Sequence, residues 1–158
     1  MKTILVAVDF SDSSEAALAY AVELAKPLGA RLVVMHSYEL PVYGFPDGAL
    51  VASVEVATRI MEGAQTGLDG MVERYKGVAQ LDTIVRQGVP WEEVRAVAEE
   101  VDAGMIVIGT HGRKGLARAL LGSVAEKILR TSTRPVLAIH APDTKSGKHA
   151  VHDVRKTA

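Results

Sequence analysis

Five short runs rich in Val and Ile, at residues 3–8, 31–36, 81–87, 105–109 and 135–139, punctuate the chain, and all except 81–87 lack polar alternation. Runs of that kind suit strands buried on both faces, the situation of a parallel sheet covered by helices. The segments between them carry apolar residues at helical spacing. Residues 12–28 set Ala17, Leu18, Ala21, Val22, Leu24, Ala25 and Leu28 on one stripe, with Asp12 and Glu15 placed as a capping-box-like start. Residues 50–75 repeat the pattern with Val54, Ala57, Ile60, Met61, Ala64, Leu68, Met71 and Val72. There Gly63, Gly67 and Gly70 lower helix propensity and predict irregularity. Pro90 opens a helix through Val101, and Gly122-Ser123 opens another through Thr131. The order is β-α-β-α-β-α-β-α-β, and parallel neighbours need crossover connections. The expected fold is α/β: an open, doubly wound, Rossmann-like five-stranded parallel sheet with helices on both faces.

Composition removes several classes of function. With 158 residues, one core is expected. Residues 1–140 read as the domain and 141–158 as a polar tail expected to stay mobile. Lysine plus arginine number 18 against 19 acidic residues, so no global basic field draws the chain to nucleic acid or anionic lipid. The absence of cysteine excludes thiolate catalysis, disulfides and cysteine-held metals. No apolar run approaches the roughly 18 residues of a membrane span. The apolar start resembles a secretory signal, but Asp9 and Asp12 interrupt it, and a cytoplasmic location is expected.

In open α/β sheets, ligands bind beyond the carboxyl ends of the strands, where strand order reverses. That rule selects Asp9, Phe10 and Ser11 after the first strand, His36 and Ser37 at the second, and Gly109, Thr110, His111 and Gly112 at the fourth. Glycines at the last junction permit positive φ and close ligand approach. The amides of a helix starting near Gly122, Ser123 and Val124 make an anion site, with Arg113, Lys114 and Arg118 adding positive charge. Any two of these features could be a plain turn and helix cap; the full spacing favours a phosphate group. His149 and His152 suit a solvated basic tail better than a metal site, and Trp91 suits packing at a helix start.

The string Gly109-x2-Gly112-x9-Gly122-Ser123 is similar to the nucleotide-binding signature of the universal stress protein family. Residues 4–11, 32–36 and 134–139 resemble it as well, so the likeness covers about residues 2–140. It implies an adenine-nucleotide-binding domain of the adenine-nucleotide α-hydrolase-like type. The implied ligand is ATP, with Mg²⁺, and the implied role is stress endurance or regulation. It also implies a homodimer, formed here through the last strand, Pro135 to Ile139. Carried over by position, Asp9 and Ala7 belong to the nucleoside pocket, and the Ser37 backbone addresses the adenine edge. Ile108 and Gly109 border the ribose; Gly112, Arg113, Gly122, Ser123 and Val124 serve the phosphates. No Gly-x4-Gly-Lys-Ser/Thr loop, no Gly-x-Gly-x-x-Gly after the first strand and no receiver-type acidic cluster occurs. No catalytic or metal-ligating residue is assigned, and ATP turnover is expected to be slow at most. The alternative is a slow ATPase, or a nucleotidyl transferase or pyrophosphatase of related fold.

Overall fold

The computed structural model describes residues 2–40, 54–110 and 121–141. Along the chain these form β1 (Thr3–Ala7), α1 (Asp12–Leu28), β2 (Arg31–Tyr38), α2 (Val54–Glu73), β3 (Leu81–Gln87), α3 (Pro90–Glu100), β4 (Met105–Gly109), α4 (Ser123–Thr131) and β5 (Val136–Ile139). The strands make one parallel sheet in the order β3-β2-β1-β4-β5. The chain thus steps outward from β1 through β2 to β3, then returns across the sheet to β4 on the other side of β1. Strand order reverses between β1 and β4.

Side-chain alternation along the strands divides the core into two layers. Ile4, Val6, Leu32, Val34 and Val107 face one way and pack under Leu18 and Val22 of α1 and Leu68 and Val72 of α2. Leu5, Val33, Met35, Ile106 and Ile108 face the other way, against Val94 and Val97 of α3 and Ala125 and Ile128 of α4. The central strands are therefore covered on both sides, as their unbroken apolar runs require. The alternating run at 81–87 becomes the half-buried edge strand β3.

Several boundaries differ from the sequence reading. Helix α1 is capped by Ser11, whose extended backbone (φ −84°, ψ 161°) lets its Oγ accept from Ser14 N at 3.3 Å; Asp12 is already helical. Strand β1 stops one residue earlier than expected, at Ala7. Strand β2 runs two residues further, because β3 continues to pair with it as far as Tyr38 opposite Gln87. Helix α2 passes unbroken through Gly63, Gly67 and Gly70. Packing of Leu68, Met71 and Val72 outweighs the propensity cost. Pro135 precedes β5 instead of opening it. Trp91 packs on the second core layer, and the Lys127 ammonium lies 4.9 Å from its ring centroid, joining α3 to α4.

Candidate functional site

Beyond the carboxyl ends of β1, β2 and β4 the sheet opens into a cleft of about 850 Å³, within the range of small-molecule sites. The turn from β1 into α1 forms its inner wall. Asp9 Oδ1 accepts from Ser11 N at 3.1 Å and from Ser11 Oγ at 2.5 Å, which ties the carboxylate to the cap of α1. Between them Phe10 adopts φ 64°, a left-handed conformation that a side chain makes unfavourable. Its surroundings hold it there. The Phe10 and His36 ring centroids are 4.3 Å apart, and the far edge of the ring lies over Gly67, where a Cβ would come within 3.1 Å. One of the three α2 glycines therefore has a packing reason. At Gly63 and Gly70 a Cβ would meet nothing within 4 Å.

Strand β2 supplies a backbone edge. Odd residues of β2 turn their peptide groups toward β1: Arg31 N donates to Lys2 O and Met35 O accepts from Val8 N, both at 2.9 Å. Even residues turn toward β3, as where Tyr38 O accepts from Gly88 N at 2.9 Å. By this alternation Ser37 aims both its N–H and its C=O to the β1 side, where β1 has ended. Among the described residues the Ser37 N–H meets no acceptor, and Ser37 lines the cleft. A donor and an acceptor thus stand side by side on a cleft wall, the arrangement that reads a nucleobase edge.

The opposite end of the cleft is the start of α4. Gly122 is its N-cap and the helical ladder begins with Glu126 N donating to Gly122 O at 2.8 Å, so the amides of Ser123, Val124 and Ala125 have no acceptor within the helix. Those donors and the helix dipole favour an anion. Thr110 anchors this end. Its N donates to Ile139 O at 2.9 Å, its O accepts from Gly122 N at 2.7 Å, and its Oγ1 bonds His140 Nδ1 at 3.0 Å.

The cleft brings together Ala7, Asp9, Ser37, Ile108, Gly109, Gly122, Ser123 and Val124 of the sequence-selected residues. Gly112, Arg113 and the tail from 142 onward lie outside the described residues. The reason for the glycines changes. Neither Gly109 nor Gly122 has positive φ; Gly122 sits at φ −61°, ψ 145°, open to any residue. Gly109 is required by close packing instead, since a Cβ there would lie 2.7 Å from the Ser13 carbonyl carbon and 2.8 Å from Ser14 N. Phe10, His36 and Thr110 acquire roles that the glycine motif does not assign. The switch-point rule selects all three.

Residues 1–140 match the model of the universal stress protein family. The chain belongs to that family. Among curated universal stress proteins, MJ0531 of Methanocaldococcus jannaschii is 34% identical over 143 residues, covering 89% of this chain and 83% of the relative. One from Thermus aquaticus is 34% identical, covering 87% and 98%. Solved structures agree in fold: MJ0577 superposes with a TM-score of 0.76 at 26% identity, covering 90% of this chain and 98% of its own. A universal stress protein from Archaeoglobus fulgidus, solved in complex with dAMP, gives 0.60 at 29% identity, covering 88% and 98%. One solved in complex with cAMP gives 0.57 at 27%, covering 89% and 98%. As a universal stress protein, the chain shares its fold with relatives that bind adenine nucleotides. Among the described residues no helix is long and apolar enough to cross a membrane.

Proposed function

We propose that this universal stress protein binds an adenine nucleotide, ATP with Mg²⁺, and acts as a regulatory or stress-endurance protein rather than as an efficient enzyme. Residues 1–140 form the nucleotide domain in this reading. The observation that carries it is a single cleft with the outward-turned Ser37 peptide on one wall and the start of α4 on another. Adenine offers an acceptor at N1 and a donor at N6, matching the Ser37 N–H and C=O. Ile108 and Val94 supply apolar wall, and the Ser123, Val124 and Ala125 amides receive phosphate oxygens. Relatives carrying dAMP and cAMP support the same class of ligand. Mg²⁺ would enter as the counter-ion of the phosphates. Calorimetry tests the reading. In the pose that pairs adenine, guanine would face a carbonyl with O6 and an N–H with N1–H. ATP is therefore expected to bind at least about tenfold more tightly than GTP, a difference of about 1.4 kcal/mol. Equal affinities, or no heat from either, would refute it.

We further propose a cytoplasmic homodimer built on β5. This strand is an edge of the sheet, and its residues are only half-buried. Ile106 N and Thr110 N bond to Pro135 O and Ile139 O, so the alternation turns the backbone groups of Val136 and Ala138 outward, where no strand among the described residues pairs with them. Two copies about a two-fold axis would pair these edges. Light scattering is expected to give about twice the 16.8 kDa chain mass. Ala138→Pro, which removes one outward donor and leaves the β4 ladder intact, is expected to shift the protein toward monomer. A monomeric wild-type protein at micromolar concentration, or a fully dimeric variant, would rule out this edge.

A further inference from the structure

The β1–β2 ladder ends one rung early, and a side chain stands where the next rung would form. In a parallel ladder a residue that donates to j−1 on its neighbour accepts from j+1. Val8 N donates to Met35 O at 2.9 Å, so the next rung would run from Ser37 N–H to Val8 O. Instead Val8 O lies 2.7 Å from His36 Nδ1. A carbonyl can only accept, so Nδ1 carries the proton and donates. His36 is buried, 9% exposed, and the Phe10 ring packs against the imidazole at a tilt of 43°. Phe10 is in turn seated in the Gly67 notch of α2. We infer that His36 is a positioning residue for base recognition: by taking the Val8 carbonyl it leaves the Ser37 N–H to the nucleobase.

The inference rests on the nucleotide reading and adds a residue that acts through the backbone. It gives the Phe10 conformation a purpose, because the ring that pays the left-handed strain is the one that holds the imidazole in place. It also accounts for a histidine directly after the apolar run Leu32-Val33-Val34-Met35.

The test compares His36→Leu, which leaves Val8 O free to accept from Ser37, with His36→Asn, whose Nδ2 reaches the position of the imidazole Nδ1. Calorimetry with ATP and ITP, which differ in the order of donor and acceptor on the base edge, gives the base preference. Amide exchange of Ser37 by NMR reports the rung directly. In the wild-type protein the Ser37 amide is expected to exchange rapidly without ligand and slowly with ATP. In His36→Leu it should be protected without ligand, and the preference for ATP over ITP should fall about three- to tenfold, the value of one hydrogen bond. His36→Asn should resemble wild type in both measurements. The inference is overturned if the wild-type amide is already protected without ligand, if the Leu variant keeps its base preference, or if ATP and ITP weaken equally. It is also overturned if Asn behaves as Leu does. Should His36→Leu not fold, the wild-type amide and the Asn variant still decide. A wild-type protein that prefers ATP over ITP, with a His36→Leu variant that keeps the whole preference, refutes the His36 inference alone; a wild-type protein that binds ATP and ITP equally refutes the parent reading with it. One that binds neither nucleotide refutes the parent reading.

Discussion

A Gly109→Ala chain is expected to lose about 3 kcal/mol of stability, seen as a lower urea midpoint at unchanged slope. The added Cβ would meet Ser13 and Ser14 at 2.7 to 2.9 Å, and two of the three nearest atoms are backbone at the start of α1. No rotamer change relieves such a contact. Helix α1 must move off β4, and with it Leu18 and Val22, which are fully or almost fully buried. That loss is a large share of the 5–15 kcal/mol typical of a domain. Displacing α1 also shifts its Ser11 cap, to which Asp9 is bonded on the cleft wall, so ATP affinity should fall in parallel. Gly70→Ala is the control: its Cβ would meet nothing within 4 Å on an exposed helical face, and it should raise stability by about 0.5–1 kcal/mol. An unchanged urea midpoint for Gly109→Ala would show that α1 and β4 are not held at this distance.

Gly109 also marks where sequence reading stops. Periodicity and run length give the element order, because they report local geometry and burial that each segment carries in itself. The edge position of β3 is legible in the same way, from the alternation at residues 81–87. The cap of α1 is displaced by one residue because Ser11 and Asp12 are both competent caps, and only the extended backbone of Ser11 decides between them. The end of β2 depends on how far β3 continues beside it, a pairing between residues some fifty positions apart. The same holds at the site. The glycine spacing identifies the β4–α4 junction, yet the need for glycine at 109 comes from Ser13 and Ser14, and the close approach at 67 comes from Phe10. His36 and Thr110 likewise act through backbone groups of Val8, Ile139 and Gly122, contacts that no local pattern encodes.

Gly122 carries the opposite expectation: a substitution that spares the fold and removes the ligand. Its φ of −61° and ψ of 145° suit valine, and the bond from its N to Thr110 O survives the change. Replacing a glycine N-cap with a poor one costs at most about 1 kcal/mol. The binding cost is larger. A branched side chain at the N-cap stands beside the Ser123, Val124 and Ala125 amides and keeps a phosphate from approaching them. Hydrogen bonds to a charged group contribute about 1.5–3 kcal/mol each. Losing one or two of them should weaken ATP binding roughly thirty- to a thousandfold, about 2–4 kcal/mol. Adenosine, which has no phosphate, should bind Gly122→Val almost as it binds wild type. Calorimetry with both ligands, alongside urea unfolding of the variant, separates the two effects. If ATP affinity is unchanged in a folded Gly122→Val protein, the phosphates do not sit at the start of α4. If ATP and adenosine weaken together, the valine has disturbed the whole cleft, and Gly122 loses its assignment to the phosphate end.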